Sequence, residues 1–241
     1  MNTIKLTLVH ASAVLLMLVS AAALAAEAGT VTHLSGTLSV QRADGTVRIL
    51  SQKSEVHRGD VLTTQRDSYA QINFTDGSSM TMRPNTQLKI EEYRFVQDQP
   101  AEDSTFLRLI KGGLRTVTGL IGKRGNQDAY KIGTNTATIG IRGSSGDTLD
   151  CVNGCEGVTS TSDRLEPGVY HATYTGSYVM QNGAGDQVIG EGQFGFTRDA
   201  NSAPVMLPSD PGLSLGQLPF VLGVVAAGNV SSGLSQECVV R

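Results

Sequence analysis

Tryptophan is absent from the 241 residues, and only six Phe and six Tyr are present. A chain so poor in large aromatics builds a thin core from aliphatic side chains, and its 28 Gly suit many tight turns. Histidine is scarce as well. Beyond the first 25 residues only His33, His57 and His171 occur, and no two of them sit at metal-ligand spacing with Cys or carboxylates. Each reads as a surface residue of a strand or loop, and no metal is expected. Gly143-Ser144-Ser145-Gly146 lacks the nucleophile-elbow pattern. Gly122-Lys123 is followed by Arg124 where a phosphate loop needs Ser or Thr, and it lacks the earlier glycine. With no paired acid, base and nucleophile in view, the sequence predicts a non-enzyme without cofactors.

What is present is alternation. From Gly59 to Tyr93 apolar side chains fall on every second position, at Ala70, Ile72 and Phe74, then Met80 and Met82, then Leu88 and Ile90. That is the period of a half-buried strand. A two-residue turn at Asp76-Gly77 would put the two apolar rows on opposite faces. A loop of Asp76-Gly77-Ser78 would pair Phe74 with Met80 and Ile72 with Met82 on a common face, and a β-arc between two layers would also point both rows inward. Pro84-Asn85 marks the next turn. Earlier, Val31, Leu34, Leu38, Val40, Val47, Ile49 and Val56 carry the same pattern around an Asp44-Gly45 turn. The predicted class is all-β: short twisted antiparallel strands forming a sandwich or solenoid-like domain, followed by a β-rich extension. In that extension GSYVMQNGAGDQVIGEGQ is a shortened echo of GTLSVQRADGTVRILSQKSEVHRGD near the start.

The first residues read as an export leader, with Lys5 before a mostly apolar stretch and Ala23-Leu24-Ala25 as a small-x-small cleavage site. Residues 1–25 are therefore predicted to be a signal peptide, and loss of Lys5 would move the formal charge from -3 to -4. The expected location is periplasmic or secreted in a bacterium, with no stable transmembrane segment after cleavage. Residues 201–241 form a Pro-containing tail whose apolar run, Leu218 to Ala227, is too short to span a bilayer. In an oxidising compartment Cys151 and Cys155, at the feet of the loop Val152-Asn153-Gly154, are predicted to face each other across a hairpin and form a disulfide. Cys238 is left over, to pair between chains or stay free.

Charge is segmented. Glu91, Glu92, Asp98, Glu102 and Asp103 surround Pro100 in what reads as a linker or long exposed loop. From Phe106 to Gly143 the sign reverses, with Arg108, Lys111, Arg115, Lys123, Arg124, Lys131 and Arg142 against Asp128 alone. These seven are the candidate binding residues for an anionic partner, although strand alternation does not put them all on one face, and basic residues also serve to protect a sheet edge. An envelope polysaccharide or a protein partner fits; nucleic acid does not suit an exported, acidic chain.

The opening GTVTHLSGTLSV, Gly59-Asp60 with Leu62-Thr63-Thr64, the run from Ala70 to Ser78, Pro84-Asn85-Thr86, Lys111-Gly112-Gly113-Leu114-Arg115, and the run from Thr136 to Gly143 together resemble the FecR-domain family of bacterial exported proteins. The resemblance spans 29–143, leaving 144–200 as the β-rich extension. It implies an all-β extracytoplasmic domain. Family members that regulate iron uptake carry a cytoplasmic anti-sigma segment and a membrane helix before a periplasmic part that receives a receptor's signal. Here only a leader stands before the domain, so the resemblance is to stand-alone secreted members. The expected function is a non-catalytic cell-envelope binding or scaffold module; the alternative is a periplasmic signal relay linked to a receptor and a sigma-factor regulator.

Overall fold

The computed structural model describes residues 26–158 and 165–213. The expected leader, the apolar run Leu218 to Ala227 and Cys238 lie outside the described residues. In chain order the strands are β1 (Glu27–Ser35), β2 (Leu38–Gln41), β3 (Val47–Leu50), β4 (Glu55–His57), β5 (Val61–Thr64), β6 (Tyr69–Phe74), β7 (Ser79–Met82) and β8 (Gln87–Arg94). After a short 3-10 turn at Pro100–Glu102 come β9 (Ser104–Val117), β10 (Tyr130–Gly133), β11 (Thr138–Asp150), β12 (Val169–Asn182), β13 (Gly185–Gly190), β14 (Phe194–Thr197) and β15 (Val205–Leu207). The protein is all-β, and every pairing is antiparallel except β9 with β10. Among the described residues no helix is long and apolar enough to cross a membrane.

Three long strands tie the sheet together by changing partners. The first part of β9 lies between β8 and β10, and its last part between β7 and β11. In the same way β11 leaves β10 for β9, and β12 exchanges β13 for β14. One half of the sheet thus runs β3, β2, β5, β8, β9, β10, β11, β12, β13, and the other β4, β1, β6, β7, β9, β11, β12, β14, β15. Their apolar faces meet in a single cluster: Leu62, Leu88, Leu107, Leu109 and Ile139 from one half, Val31, Ile72, Met80, Met82 and Leu114 from the other. The corners fall at Gly112 (φ +89), Gly143 (φ +63) and Gly176 (φ +72), where a long strand must bend sharply to pass between halves. At Gly112 space is also decisive, because an added Cβ would lie 2.6 Å from the Thr86 Cα. The junction drawn from sequence at Gly143 falls inside β11, so the two units share a strand.

Local expectations can be compared with the observed pairings. The loop between β6 and β7 has three residues, but they are Thr75-Asp76-Gly77: Ile72 faces Met80 and Asn73 faces Ser79, so each residue of β6 meets a partner two positions from the predicted one. Gly77 takes the left-handed position (φ +81) and its N–H bonds the Phe74 carbonyl at 3.0 Å, which leaves Ser78 to close the ladder with Phe74. Both apolar rows still share the core face, because either register keeps the parity. The Cys151–Cys155 disulfide is present. It does not cross a hairpin, however: Gly154 N–H bonds Cys151 O and Val158 N–H bonds Cys155 O, each at 3.0 Å, so the bridge closes two successive turns after β11. The acidic stretch taken as a linker is partly strand, since Glu91 and Glu92 belong to β8.

Candidate functional site

On β6, β7, β9, β11 and β12 the side chains opposite the main core form two rows across the strands. Cross-strand neighbours place Asn73, Ser79, Val117, Ser145 and Thr175 in one line. The next line is Gln71, Thr81, Arg115 and Asp147. These rows floor a cleft of about 590 Å³, walled by Thr118, Gly119, Leu120, Lys123, Gly143 and Ser144 and closed on one side by Tyr174.

The wall is built by Asp76. Its carboxylate accepts Ser78 N–H (3.0 Å) and Ser78 O–H (2.6 Å) on one oxygen and the Ile121 N–H (3.1 Å) on the other, while its carbonyl accepts Leu120 N–H (2.9 Å). Tyr93 O–H reaches the same carboxylate at 3.3 Å, and burial together with that charge raises the phenol's pKa. Gly119 sits so close to this turn that a Cβ would lie 2.2 Å from Ser78 N. The β6–β7 turn, legible in sequence only as a turn, therefore carries the segment that presents Leu120 and Lys123. In the same wall Thr118 Oγ1 donates to Ser144 O (2.5 Å) and accepts Ser144 N–H (2.8 Å), fixing the bulge in β11.

Beneath the floor lies a buried ion cluster. Asp147, fully buried, accepts from Arg83 Nη2 (2.6 Å), from Arg115 Nε and Nη2 (2.7 and 2.9 Å) and from Tyr174 O–H (2.6 Å). Arg83, also fully buried, donates a second bond to Leu213 O at 2.6 Å. Burial pushes the Arg83 pKa down against the pull of Asp147. Burial opposes the Arg115 charge too, but there the bonds and charge of Asp147 prevail and the pKa rises. Burial and the Asp147 charge push Tyr174 up to about 12. His171 lies nearby, its Nδ1 3.0 Å from Thr148 Oγ1 and its ring 4.0 Å from that of Tyr178. It is fully buried, not on the surface as the sequence suggested, and desolvation holds its pKa down to about 3. It lies on the face opposite its neighbours Tyr170 and Ala172, packed on Tyr178 of the main core, while those two join Leu149, Cys151, Cys155, Val158 and Leu213 in a second apolar cluster on the outer side of the sheet.

Of the seven basic candidates the cleft gathers two, Arg115 and Lys123. Arg108 pairs with Glu91 (3.0 Å) and lies over Phe106, and Arg142 pairs with Asp128 (3.4 Å). Arg124 clasps the segment before β9, donating to Gln97 O (2.6 Å), Val96 O (2.9 Å) and Asp103 (3.0 Å) while covering Phe95. Lys111 lines a separate cleft with Arg66, Asn85 and the disulfide loop, and Lys131 stands on β10. Among the described residues Lys111, Lys123 and Lys131 have no carboxylate within ion-pair reach. The sequence reading missed Arg83, Asp147 and Asp76; the signal for the first was an arginine placed one residue after Met82, on the polar side of the alternation. Among the described residues no group of His, Cys, Asp or Glu is placed to hold a metal ion.

Residues 60–161 match the family model described as FecR protein. Among solved structures, two crystal structures of a "putative anti-sigma factor" from Parabacteroides distasonis are similar at TM-scores of 0.46 and 0.45 and 10% identity, each covering 63% of this chain and 60% of theirs. The chain thus spans three-fifths of those neighbours. A "cell surface anchoring domain" aligns at a TM-score of 0.25 and 24% identity over 26% of this chain and 82% of its own. No curated protein matches the chain.

Proposed function

We propose, from the match of residues 60–161 to the FecR family model, that this protein is a non-catalytic, extracytoplasmic binding module that receives a protein partner in its cleft and relays a signal toward a sigma-factor regulator. The observation that carries the reading is the overlap of domain and cleft: β6, β7, β9 and β11, four of the five floor strands, and the Asp76-pinned wall all lie within the matched residues. Location in the periplasm or outside the cell is supported by the leader pattern and by a disulfide, which persists in oxidising compartments. Deleting the gene and restoring it as wild type or as Lys123→Glu, with transcript profiling of each strain, tests the relay. Sigma-dependent transcripts should change on deletion and be restored by the wild type but not by the variant. If deletion changes none of them, the relay reading fails.

A second reading, an envelope module for an anionic polysaccharide, is favoured by the unpaired lysines Lys111, Lys123 and Lys131. It requires retention on an envelope-polymer fraction that drops when these three are reversed to glutamate.

A further inference from the structure

Two guanidinium groups, Arg83 and Arg115, share the one carboxylate of Asp147, so the buried cluster under the cleft holds an unbalanced positive charge. Burying a charge without a partner is costly, and a counter-charge brought to its accessible side is correspondingly favourable. The accessible side is the cleft. Arg115 spends Nε and Nη2 on Asp147 and Tyr174; its Nη1 has no partner among the described residues and is not sealed from solvent. Lys123, exposed and unpaired, lies over Gly143 on the same rim, its Cγ 3.5 Å from where a Cβ on that glycine would stand. Gln71 lines the cleft floor but is only 3% exposed, and its Oε1, sealed from solvent, has no donor among the described residues. Val117 and Leu120, 44% and 40% exposed, give an apolar lip between these polar groups.

We propose that the cleft binds an extended acidic peptide segment of a partner protein, seating a carboxylate between Arg115 Nη1 and Lys123 and packing an apolar side chain on Val117 and Leu120. The row from Asn73 to Thr175 crosses five strands, and at about 4.8 Å per strand its length of roughly 19 Å accommodates about six extended residues. An anionic glycan has the charge but not the other features. Sugar rings stack on open aromatic faces, and the one aromatic ring of the cleft, Tyr174, already carries the Arg115 guanidinium 4.6 Å above it.

The proposal rests on the binding reading above and can fail independently of it. The purified full-length protein is titrated into a fluorescein-labelled octapeptide of alternating Glu and Leu, its Gln-Leu counterpart, and polygalacturonate oligomers as competitor. Expected is saturable binding of the acidic peptide, weaker by about tenfold for the Gln peptide and for Lys123→Glu, weaker also for Leu120→Gln, and unchanged for Arg48→Glu, exposed on β3 and outside the cleft. Melting curves establish that each variant is folded. Absent binding of the acidic peptide, equal binding of the Gln peptide, insensitivity to both Lys123→Glu and Leu120→Gln, or stronger binding by polygalacturonate would each overturn the proposal. Loss of sigma-dependent regulation in the deletion strain speaks to the relay alone, so the two failures are distinguishable.

Discussion

Burial keeps the His171 imidazole neutral until about pH 3, whereas in the unfolded chain it takes a proton near 6.5. A folded-state pKa below the unfolded one means that the stabilisation is complete above pH 6.5 and is lost as pH falls through the window toward 3, at up to roughly 1.4 kcal/mol per pH unit. Asp150 works in the opposite direction. Burial raises it to about 6, with only the Val152 N–H on one oxygen to oppose the shift. Its stabilising contribution is therefore fully present below 3.8 and is lost as pH rises through 6. Urea unfolding at pH 4 and pH 7 checks both: His171→Gln should flatten the acid loss, and Asp150→Asn should gain about 1–3 kcal/mol at pH 7 and nothing below pH 3.8. The ion cluster predicts an asymmetry as well. Asp147→Asn strands two buried guanidinium groups and should cost about 3–5 kcal/mol, whereas Arg83→Met leaves the Arg115–Asp147 pair intact and should cost less than half as much in the same assay.

Strand β9 shows how much of an element could be read in advance. Leu114 is out of phase with Leu107 and Leu109 and returns to the core only past the bend at Gly112-Gly113, whereas the alternation of the two earlier leucines was legible. The exchange of β8 and β10 for β7 and β11 at that bend was not, because partner choice depends on segments far along the chain. Gly112→Ala, at φ +89 and with Thr86 Cα 2.6 Å from the new Cβ, should lower stability by about 2 kcal/mol or more and be visible as a drop in Tm. The cysteine pair was also legible, since only residues four apart on a Gly-containing loop were in easy reach of each other; the two successive turns that hold it in place of a hairpin were not, because Cys151, Cys155 and Val158 pack into an apolar cluster with residues far along the chain. Replacing both cysteines with serine should cost roughly 2 kcal/mol, as expected for so small a ring, and reducing agent should lower the melting point of the wild type to the same level.

At the scale of the molecule, β9, β11 and β12 each serve both halves of the sheet, so the protein should not divide at Gly143. A chain ending there loses the part of β11 that pairs with Gly112–Val117 and leaves the outer face of β7 and β9 bare. It should be protease-sensitive, while the full chain yields a resistant fragment reaching Leu213; a stable, well-dispersed truncated form would show that the halves are independent. Period-two alternation and turn chemistry act over a few residues, and these the sequence determined alone: an all-β chain, the places of its turns, its disulfide partners and most core-facing side chains, though Val47 and Ile49 of the alternating set stand exposed. The polar side was another matter. Arg83 meets Asp147 across 64 positions and Leu213 across 130, and His171 is buried between Thr148, on another strand, and Tyr178 of the main core. Burial belongs to whatever segment lands on a face, so only the tertiary structure decided which polar residues became a sealed ion cluster and which of the seven basic residues came to border the cleft.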